Sequence, residues 1–383
     1  MLSQNINFIN FKIKKKNSFL KSYLFFILKF KDSTIASLGQ NFKLNYKKKQ
    51  FFKYRSIKNI RLIGIGGSIL GAKAIFNFLN HKVKKKIEFV DNLSSQLKKN
   101  HSKFLNLIVS KSGNTIETIV NANILISKKD QNIFITENKK NYLYSLAQKL
   151  KSEIIHHNNY IGGRYSVLSE VGMLPAEIMG LNVNKFKQLN NLIKNKTFIN
   201  SLISNVASTI FYLKKKKFNS IIINYDPKSE NLFKWYQQLI AESLGKKNVG
   251  ILPVISNMPQ DNHSLMQLYL DGYKNNFFTF FFVHENNTAR IDRKNLLGSH
   301  SFLKNKDINQ ILFAQKKASE LIFLKKKIPF RSFEVKKRDE KTLGELFCFF
   351  TLETILLAKA LKVNPYDQPS VELIKKETKK FLI

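Results

Sequence analysis

Two loops decide the fold class of this chain, because each of them joins a strand-like apolar run to a helix-like one. Residues 60–68 read IRLIGIGGS, and residues 105–115 read LNLIVSKSGNT. Glycine lets the backbone approach an anion, while hydroxyl groups and the free N–H groups at a helix start donate hydrogen bonds. The loops therefore predict a phosphate-binding site with these candidate residues: Gly67, Ser68, Ser110, Lys111, Ser112 and Thr115.

Neither loop has the signature of a nucleotide-binding site. The first loop lacks the last glycine of the dinucleotide motif G-x-G-x-x-G, because Ile69 occupies that position. Neither loop continues into the Gly-Lys-Ser/Thr of an ATP-binding P-loop. A short sugar phosphate therefore fits these loops better than a dinucleotide or ATP does.

From residue 60 onward, strand-like and helix-like segments alternate in two units. The strand candidates are residues 60–65, 87–91, 105–109 and 133–136 in the first unit and 220–225, 249–254 and 277–283 in the second. Helical patterns lie at residues 184–217, 230–244 and 343–361, and again from about Ser370. This alternation predicts an α/β fold with two doubly wound, mostly parallel sheets, in which ligands bind beyond the carboxyl ends of the strands.

The 383 residues are long enough for more than one core, since 43% of them are hydrophobic. Residues 1–58 are rich in Lys and Phe and lack a chemical motif, so we expect a helical N-terminal extension there. We expect the first domain at residues 59–205 and the second at residues 206–340. Residues 341–383 are expected to form C-terminal helices.

The chain is strongly basic, with 65 Lys and Arg residues against 26 Asp and Glu residues and a formal net charge of +39. Such a charge favours nucleic-acid binding when it forms one patch. Here the lysines are spread over the whole chain, in runs such as residues 14–16, 84–86 and 214–217. We therefore interpret the charge as a compositional bias and expect no specific nucleic-acid partner.

The sequence favours a cytoplasmic protein without membrane contact. The apolar residues 22–28 follow the lysines at 14–16, but they lack a small-residue cleavage site and are followed by Lys29 and Lys31. The one cysteine, Cys348, has no internal partner for a disulfide, which is consistent with a reducing compartment.

The second loop contains the pattern Ser110-x-Ser112-Gly113-x-Thr115-x-Glu117, which resembles the hallmark of sugar isomerase (SIS) domains. Four further blocks follow in order at residues 162–168, 238–246, 262–268 and 368–372, and they read GGRYSVL, QLIAESLGK, NHSLMQL and QPSVE. Together these blocks resemble the glucose-6-phosphate isomerase family from about residue 60 to residue 376.

Two residues outside the loops have a candidate role by their context. Glu242 lies at the edge of the apolar face of the helix predicted at 230–244, where it can act as a general base or pair with Lys246 one turn later. Arg164 follows two glycines, which can bring its cation close to a ligand; alternatively, it donates to the carbonyl groups of a turn. The residues alone leave both pairs of alternatives open.

The resemblance implies an aldose–ketose isomerase that interconverts glucose 6-phosphate and fructose 6-phosphate without a metal or an organic cofactor. It implies that Glu242 transfers the proton and that Arg164 stabilises the enediolate. It also implies that Gln238 and Gln368 line the pocket beside the sugar phosphate.

The resemblance further implies that the protein is a homodimer. His263 would help to open the sugar ring and would reach the active site of the neighbouring subunit. Lys375 would assist in ring opening. Because Ile374 replaces a glycine of the family pattern, Lys376 is an alternative to Lys375.

The other ionisable candidates are expected to be structural. No His, Cys or Asp near His263 has convincing spacing for a shared metal, and the adjacent His156 and His157 cannot both face one ion from a strand. Glu353 lies among apolar residues of the helix predicted at 343–361, so we expect a buried carboxylate whose partner the sequence does not reveal.

Two other functions fit the same motifs. One is a different SIS sugar-phosphate isomerase, including one that accepts mannose 6-phosphate. The other is a non-catalytic SIS module that senses sugar phosphates, which should lack the base and carry a DNA-binding unit. The chain has Glu242 and no helix-turn-helix of clear spacing, so we favour the isomerase.

Overall fold

The structure is a computed structural model, and it describes residues 2–12, 18–97 and 103–383. The lysine run at residues 14–16 lies outside the described residues. The described chain forms these strands: β1 (Ile6–Ile9), β2 (Asn59–Ile63), β3 (Lys86–Val90), β4 (Leu105–Val109), β5 (Gln131–Glu137), β6 (Glu153–His157), β7 (Asn219–Asn224), β8 (Leu252–Asn257), β9 (Asn276–Val283) and β10 (Phe330–Val335).

The α-helices of the described chain are α1 (Ser18–Lys29), α2 (Ser33–Ser37), α3 (Leu70–Phe78), α4 (Ile116–Leu125), α5 (Tyr142–Leu150), α6 (Glu170–Ile178), α7 (Leu189–Leu192), α8 (Lys196–Lys214), α9 (Glu230–Leu244), α10 (Met266–Asp271), α11 (Ile308–Lys325), α12 (Glu340–Ala360) and α13 (Pro369–Phe381). Short 3₁₀-helices lie at Lys48–Tyr54, Gly66–Ser68, Asn80–Lys82, Gly163–Leu168, Val183–Phe186, Pro227–Ser229, Gln260–Asn262, Arg293–Asn295 and Gly298–Leu303.

The first sheet has the strand order β3-β2-β4-β5-β6, and all of its strands are parallel. All five residues of β4 are buried, as expected for a mostly apolar strand in a parallel sheet that is covered on both faces, and the one polar residue, Asn106, donates to Asn132 Oδ1 on β5 at 2.9 Å. In the sheet, β3 lies on one side of β2, and β4, the next strand along the chain, lies on the other side of β2. The strand order therefore reverses between β2 and β4, and the loops after these two strands lie on either side of that point.

The second sheet has the strand order β1-β10-β9-β7-β8, and only β1 is antiparallel to its neighbour among the described strands. The prediction of a helical N-terminal extension is therefore incomplete, because Ile6–Ile9 forms an edge strand. The physical reason is the alternation of side chains: Ile6 and Phe8 are buried, and the Phe8 ring lies 4.6 Å from the ring of Phe333 on β10. The helices α1 and α2 agree with the helical character expected there, between residues 18 and 37.

Several boundaries differ from the sequence-based expectation. The strands β6 and β10 were not predicted, since EIIHH and FRSFEV mix charged and apolar residues. The strand expected at 249–254 begins three residues later, at Leu252. The single helix expected at 184–217 is a 3₁₀-helix followed by α7 and α8, and Asn195 caps the start of α8 by accepting from Thr197 N.

One large hydrophobic cluster connects all parts of the chain. It includes Leu20, Phe78, Phe281 and Phe350, which belong to the four different segments expected from the sequence. The helix α8 also crosses the expected boundary between residues 205 and 206. The division into domains therefore stays a prediction.

The helix α12 lies at the centre of this cluster. Its residues from Thr342 to Ala358 are all buried, which agrees with a helix that is apolar around most of its circumference. Within residues 2–12, 18–97 and 103–383, no helix is long and apolar enough to cross a membrane.

Candidate active site

The first loop follows β2 and forms the 3₁₀-helix Gly66–Ser68 before α3. Gly66 has a φ of +54°, which favours glycine. A Cβ atom on Gly67 would lie only 2.2 Å from the carbonyl carbon of Gly163. Only glycine therefore lets this loop pack against the backbone that carries Arg164. A Cβ on Gly66 would lie 2.9 Å from Nε2 of Gln238, so the same loop also borders α9.

The second loop follows β4 and leads into α4, with Thr115 at the N-cap position. Ser110 Oγ lies 2.8 Å from Thr115 Oγ1, and Gly113 N donates to Ser110 Oγ at 3.2 Å. Gly113 has a φ of +66°. Ser112 is exposed and accepts from Asn114 N at 3.3 Å. The hydroxyl groups thus lie at the start of a helix, where N–H groups and the helix dipole favour an anion.

The two loops are neighbours at the carboxyl edge of the first sheet. Ile63 of β2 is in register with Ile108 of β4, and a Cβ on Gly64 would lie 3.0 Å from the carbonyl oxygen of Val109. This is the edge at which open α/β sheets bind ligands. The structure therefore brings together the hydroxyl and glycine residues expected in the phosphate site.

Lys111 connects the second loop to the segment that precedes Arg164. Its Nζ donates to the carbonyl oxygen of Asn159 at 2.7 Å and lies 3.8 Å from Glu137 Oε1. Burial lowers the pKa of Lys111, and the charge of Glu137 opposes this shift. The lysine thus contributes positive charge near the loop, but its ammonium group already has protein partners.

Arg164 is buried, with 2% of its side chain exposed, and its guanidinium group connects three segments. Nε donates to Ser243 Oγ at 2.9 Å, and Nη1 donates to Glu242 Oε2 at 3.1 Å and to Gln368 Oε1 at 2.7 Å. Nη2 donates to the carbonyl oxygens of Pro365 and Asp367. The sequence left two roles open for Arg164, a cation near a ligand and a donor to the carbonyl groups of a turn. The structure contains features of both, because Nη2 donates to carbonyl groups and Nη1 faces Glu242.

Glu242 lies on α9 with both carboxylate oxygens held and 26% of its side chain exposed. Oε2 accepts from Arg164, and Oε1 accepts from Gln238 Nε2 at 2.8 Å. Lys246, the alternative partner expected from helical spacing, instead lies 2.8 Å from Asp367 Oδ1. The alternative of a surface pair between Glu242 and Lys246 is therefore wrong.

Gln238 donates to this carboxylate, and Gln368 accepts from the same Nη1 atom of Arg164 as the carboxylate does. Gln238 Oε1 is buried and has no hydrogen-bond partner among the described residues. A buried acceptor without a donor is costly, so this atom can accept from a hydroxyl group of a ligand. Gln368 is the residue before α13, and its Oε1 is held by Arg164.

The sequence matches the family model of phosphoglucose isomerase over residues 35–382. The chain belongs to the phosphoglucose isomerase family. A glucose-6-phosphate isomerase from Mycoplasmopsis pulmonis is 33% identical over 367 residues, which cover 87% of this chain and 84% of that protein. The glucose-6-phosphate isomerase from Methanocaldococcus jannaschii is 30% identical over 354 residues, which cover 85% of both proteins. The family resemblance of the sequence blocks is confirmed.

Solved structures share the architecture. A glucose-6-phosphate isomerase from Chlamydia trachomatis has a TM-score of 0.71 at 19% identity, with 88% of this chain and 72% of that chain covered. A hypothetical protein from Thermus thermophilus has a TM-score of 0.83 at 22% identity, with 95% and 94% covered. These likenesses confirm the predicted α/β fold of SIS type.

Two residues that the family resemblance places in the site form no hydrogen bond or ion pair with Glu242 or Arg164 among the described residues. His263 follows the 3₁₀-helix Gln260–Asn262 after the edge strand β8, and it is exposed. Lys375 is exposed on α13, where its Nζ lies 2.7 Å from Glu372 Oε1. Within the described residues, no hydrogen bond or ion pair joins either side chain to the site of its own chain.

Several supporting residues were not found from the sequence. Tyr165 OH lies 2.8 Å from Ser243 Oγ, and burial raises the pKa of Tyr165 to about 12. Trp235 Nε1 donates to the carbonyl oxygen of Arg164 at 3.1 Å. Ser243 directly follows Glu242 in one of the sequence blocks that carry the family resemblance. Its position could therefore have been used to predict that it lies in the site.

His157 is a poor metal ligand by its sequence context, and in the structure it holds the segment before Arg164. Its Nε2 lies 3.0 Å from the carbonyl oxygen of Ile161, and its Nδ1 lies 3.4 Å from Glu170 Oε2. Burial opposes the charge of Glu170, yet hydrogen bonds from His157 and from backbone N–H groups hold its pKa below the ordinary value. The pair fixes the turn that leads to Gly162 and Gly163.

Proposed function

We propose that this protein is an enzyme that interconverts glucose 6-phosphate and fructose 6-phosphate. The position of Glu242 supports this most directly, because its carboxylate is held between Arg164 and Gln238 and Gln238 borders the glycine loop. The relatives named glucose-6-phosphate isomerase support the same pair of substrates. The conversion is one of the steps of glycolysis and gluconeogenesis.

The phosphate group binds at the two loops of the first sheet. Ser68, Ser110, Ser112 and Thr115 supply hydroxyl groups there, and Lys111 supplies positive charge. Gly67 gives the backbone room to approach. This binding energy acts far from the reacting carbons, so it can hold the open-chain sugar with C1 and C2 facing the base.

Glu242 is the general base. It removes the proton from C2 of the open-chain aldose, the electron pair forms the C1–C2 double bond, and the C1 carbonyl oxygen becomes an oxyanion. Arg164 lies beside Glu242 and stabilises that negative charge. Glu242 then returns the proton to C1, while the proton of the C2 hydroxyl group moves to the C1 oxygen, which gives the ketose. Gln238 and Gln368 line this part of the pocket.

His263 and Lys375 carry the proton shifts of ring opening, with Lys376 as the alternative to Lys375. Since His263 is exposed at the edge of the second sheet and has no contact with its own Glu242, we propose that a homodimer brings it to the site of the neighbouring subunit. The catalytic unit is then the dimer.

The proposed reaction uses only these side chains, so we assign no metal and no organic cofactor to it. The net charge of +39 is spread over the chain, and we assign it no specific nucleic-acid partner. We place the protein in the cytoplasm, where its sugar-phosphate substrate is found.

An assay of the purified protein tests the proposed reaction. Glucose 6-phosphate should be converted to fructose 6-phosphate, and the rate should not change when EDTA is added. Mannose 6-phosphate, which differs from glucose 6-phosphate only in the configuration at C2, is the matched control. Conversion of mannose 6-phosphate would favour the alternative isomerase. A protein that converts neither sugar would contradict the proposal.

A further inference from the structure

A cavity of about 480 Å³ lies at the opposite edge of the first sheet from the candidate active site. It is lined by Tyr54 and Arg55, which precede β2, and by Lys84 and Lys85, which precede β3. Because β2 and β3 are parallel, these residues lie at the amino edge of the sheet. The loops that bind phosphate lie at the carboxyl edge, so this is a separate cavity.

Positive charge dominates the lining of this cavity. Its cations are Lys48, Arg55, Lys82, Lys84 and Lys85. The carboxylate of Glu177, also in the lining, already lies 2.9 Å from Lys48 Nζ. Three carbonyl oxygens at residues 54, 55 and 57 accept from Lys85, and Glu340 pairs with Lys82.

Two cations of the cavity have no carboxylate partner among the described residues and can bind an anion. Arg55 and Lys84 are exposed, and no carboxylate of the described residues forms an ion pair with either of them. Cations that lack a protein partner inside a concave, positively charged surface attract phosphate groups strongly, since several charges act on the ligand together.

Apolar and aromatic side chains complete the lining. Phe51, Ile178, Met179 and Leu181 line the cavity. The Arg55 guanidinium group lies 3.8 Å from the centre of the exposed Phe52 ring. This cation–π contact holds the guanidinium group in place beside the cavity, where it can meet a phosphate group.

We propose that this cavity binds a nucleoside triphosphate, with its phosphates at Arg55 and Lys84 and its base against the apolar side. A volume of about 480 Å³ lies within the usual range of small-molecule sites. The combination of unpaired cations with an apolar lining fits a ligand that is anionic at one end and aromatic at the other. A sugar phosphate lacks the aromatic part.

Calorimetric titration of ATP at physiological salt tests this site. The wild type should bind one ATP, and the double substitution Arg55→Ser, Lys84→Ser should weaken binding about tenfold or more. The matched control is Lys149→Ser, Lys304→Ser, which removes the same charge from two exposed lysines outside the cavity and should leave binding unchanged. Equal weakening by the control would assign binding to the net charge and overturn the proposal.

Two further titrations distinguish ATP binding in this cavity from binding at the loops of the first sheet and from recognition of the phosphates alone. ATP should bind the variant Ser110→Ala, Thr115→Ala as it binds the wild type, and a loss of binding there would move the ligand to the loops of the first sheet. Inorganic tripolyphosphate should bind more weakly than ATP. Equal binding of the two would overturn the proposed recognition of the nucleoside, and a wild type that binds no ATP would overturn the whole proposal.

Discussion

Arg164 Nη1 lies 3.1 Å from Glu242 Oε2, and the two residues are 78 positions apart in the chain. The other oxygen of the same carboxylate accepts from Gln238, so both oxygens are fixed before a substrate binds. Because Arg164 is itself held by Ser243 and Gln368, its position does not depend on Glu242 alone. If Glu242 is the base, as we propose, a carboxylate and a cation held in this way need little reorganisation during a proton transfer.

The first prediction concerns Glu242. The substitution Glu242→Gln keeps the shape and hydrogen-bonding capacity of the side chain but removes the base. It should lower kcat by about 10²–10⁴-fold with a small effect on KM, because general-base catalysis has this magnitude. Steady-state kinetics measure both constants.

The matched control for this prediction is Glu230→Gln at the start of the same helix, where Glu230 pairs with Lys234 at 2.6 Å. It should retain wild-type kcat. In D2O the wild type should place deuterium in the product, since a proton held by one carboxylate exchanges with solvent. A Glu242→Gln variant with near wild-type activity, or a product without label, would contradict the assigned role.

Part of the fold was predictable because local patterns decide it. The helix expected at 230–244 is confirmed as α9 at both ends, and the buried run at 105–109 is confirmed as β4. The first segment has a clear apolar period, and the second is an apolar run that only Asn106 interrupts. By contrast β10 carries Arg331 and Glu334 inside a strand, and only their partners on other elements make their burial possible.

The same reasoning applies to the site. The two loops of the proposed phosphate site could be found from glycine and hydroxyl residues, because the residues of each loop are neighbours in sequence. The pairing of Arg164 with Glu242, and of Lys246 with Asp367, depends on contacts between residues that are 78 or more positions apart. Such contacts follow from how the elements pack, and local sequence patterns do not reveal that packing.

The second prediction concerns the hydroxyl groups of the second loop. The substitutions Ser110→Ala and Thr115→Ala remove a pair that lies 2.8 Å apart at the start of α4. Each hydrogen bond lost to a charged phosphate should cost about 1.5–3 kcal/mol of binding free energy, so KM should rise strongly. Ser145→Ala, at an exposed position on α5, is the control and should leave KM unchanged. An unchanged KM in the double variant would remove this loop from the site.

The third prediction concerns the buried pair of Arg331 and Glu353. The pair confirms the expectation of a buried carboxylate and reveals its partner, and Glu353 also accepts from Asn205 and Tyr236. Arg331→Met leaves that carboxylate without its cation and should lower the free energy of unfolding by about 3–5 kcal/mol.

Adding Glu353→Gln to Arg331→Met should recover part of this loss, because the amide keeps hydrogen-bonding capacity without a buried charge. Urea denaturation of the two variants and the wild type measures the difference. A single variant that is nearly as stable as the wild type would contradict the prediction.

The fourth prediction concerns Lys187, whose Nζ donates to the carbonyl oxygens of Ser37 and Leu168. Burial lowers the pKa of Lys187 from 10.5 to about 7. Between these two values the unfolded chain binds more protons than the folded one, so this residue makes the free energy of unfolding rise with pH. The slope is at most about 1.4 kcal/mol per pH unit.

Lys187→Met removes this titration. The stability of the wild type relative to the variant should therefore increase when urea denaturation is repeated at rising pH above 7. The exposed Lys185→Met is the control, and its difference from the wild type should stay constant. A constant difference for Lys187→Met as well would show that the folded protein keeps this lysine charged.

The last prediction concerns His263, which is exposed and forms no hydrogen bond or ion pair with Glu242 of its own chain among the described residues. If His263 acts in the neighbouring subunit, Glu242→Gln and His263→Ala should each inactivate the homodimer. A dimer with one subunit of each kind then has one site with both native residues, since the intact Glu242 meets the intact His263 of its partner. Random mixing makes half of the dimers mixed, so activity should return to about a quarter of the wild-type value. Unfolding, mixing and refolding the two variants together, with each refolded alone as the control, measures this. No recovery in the mixture, at a dimeric state verified by light scattering, would place His263 in the site of its own chain.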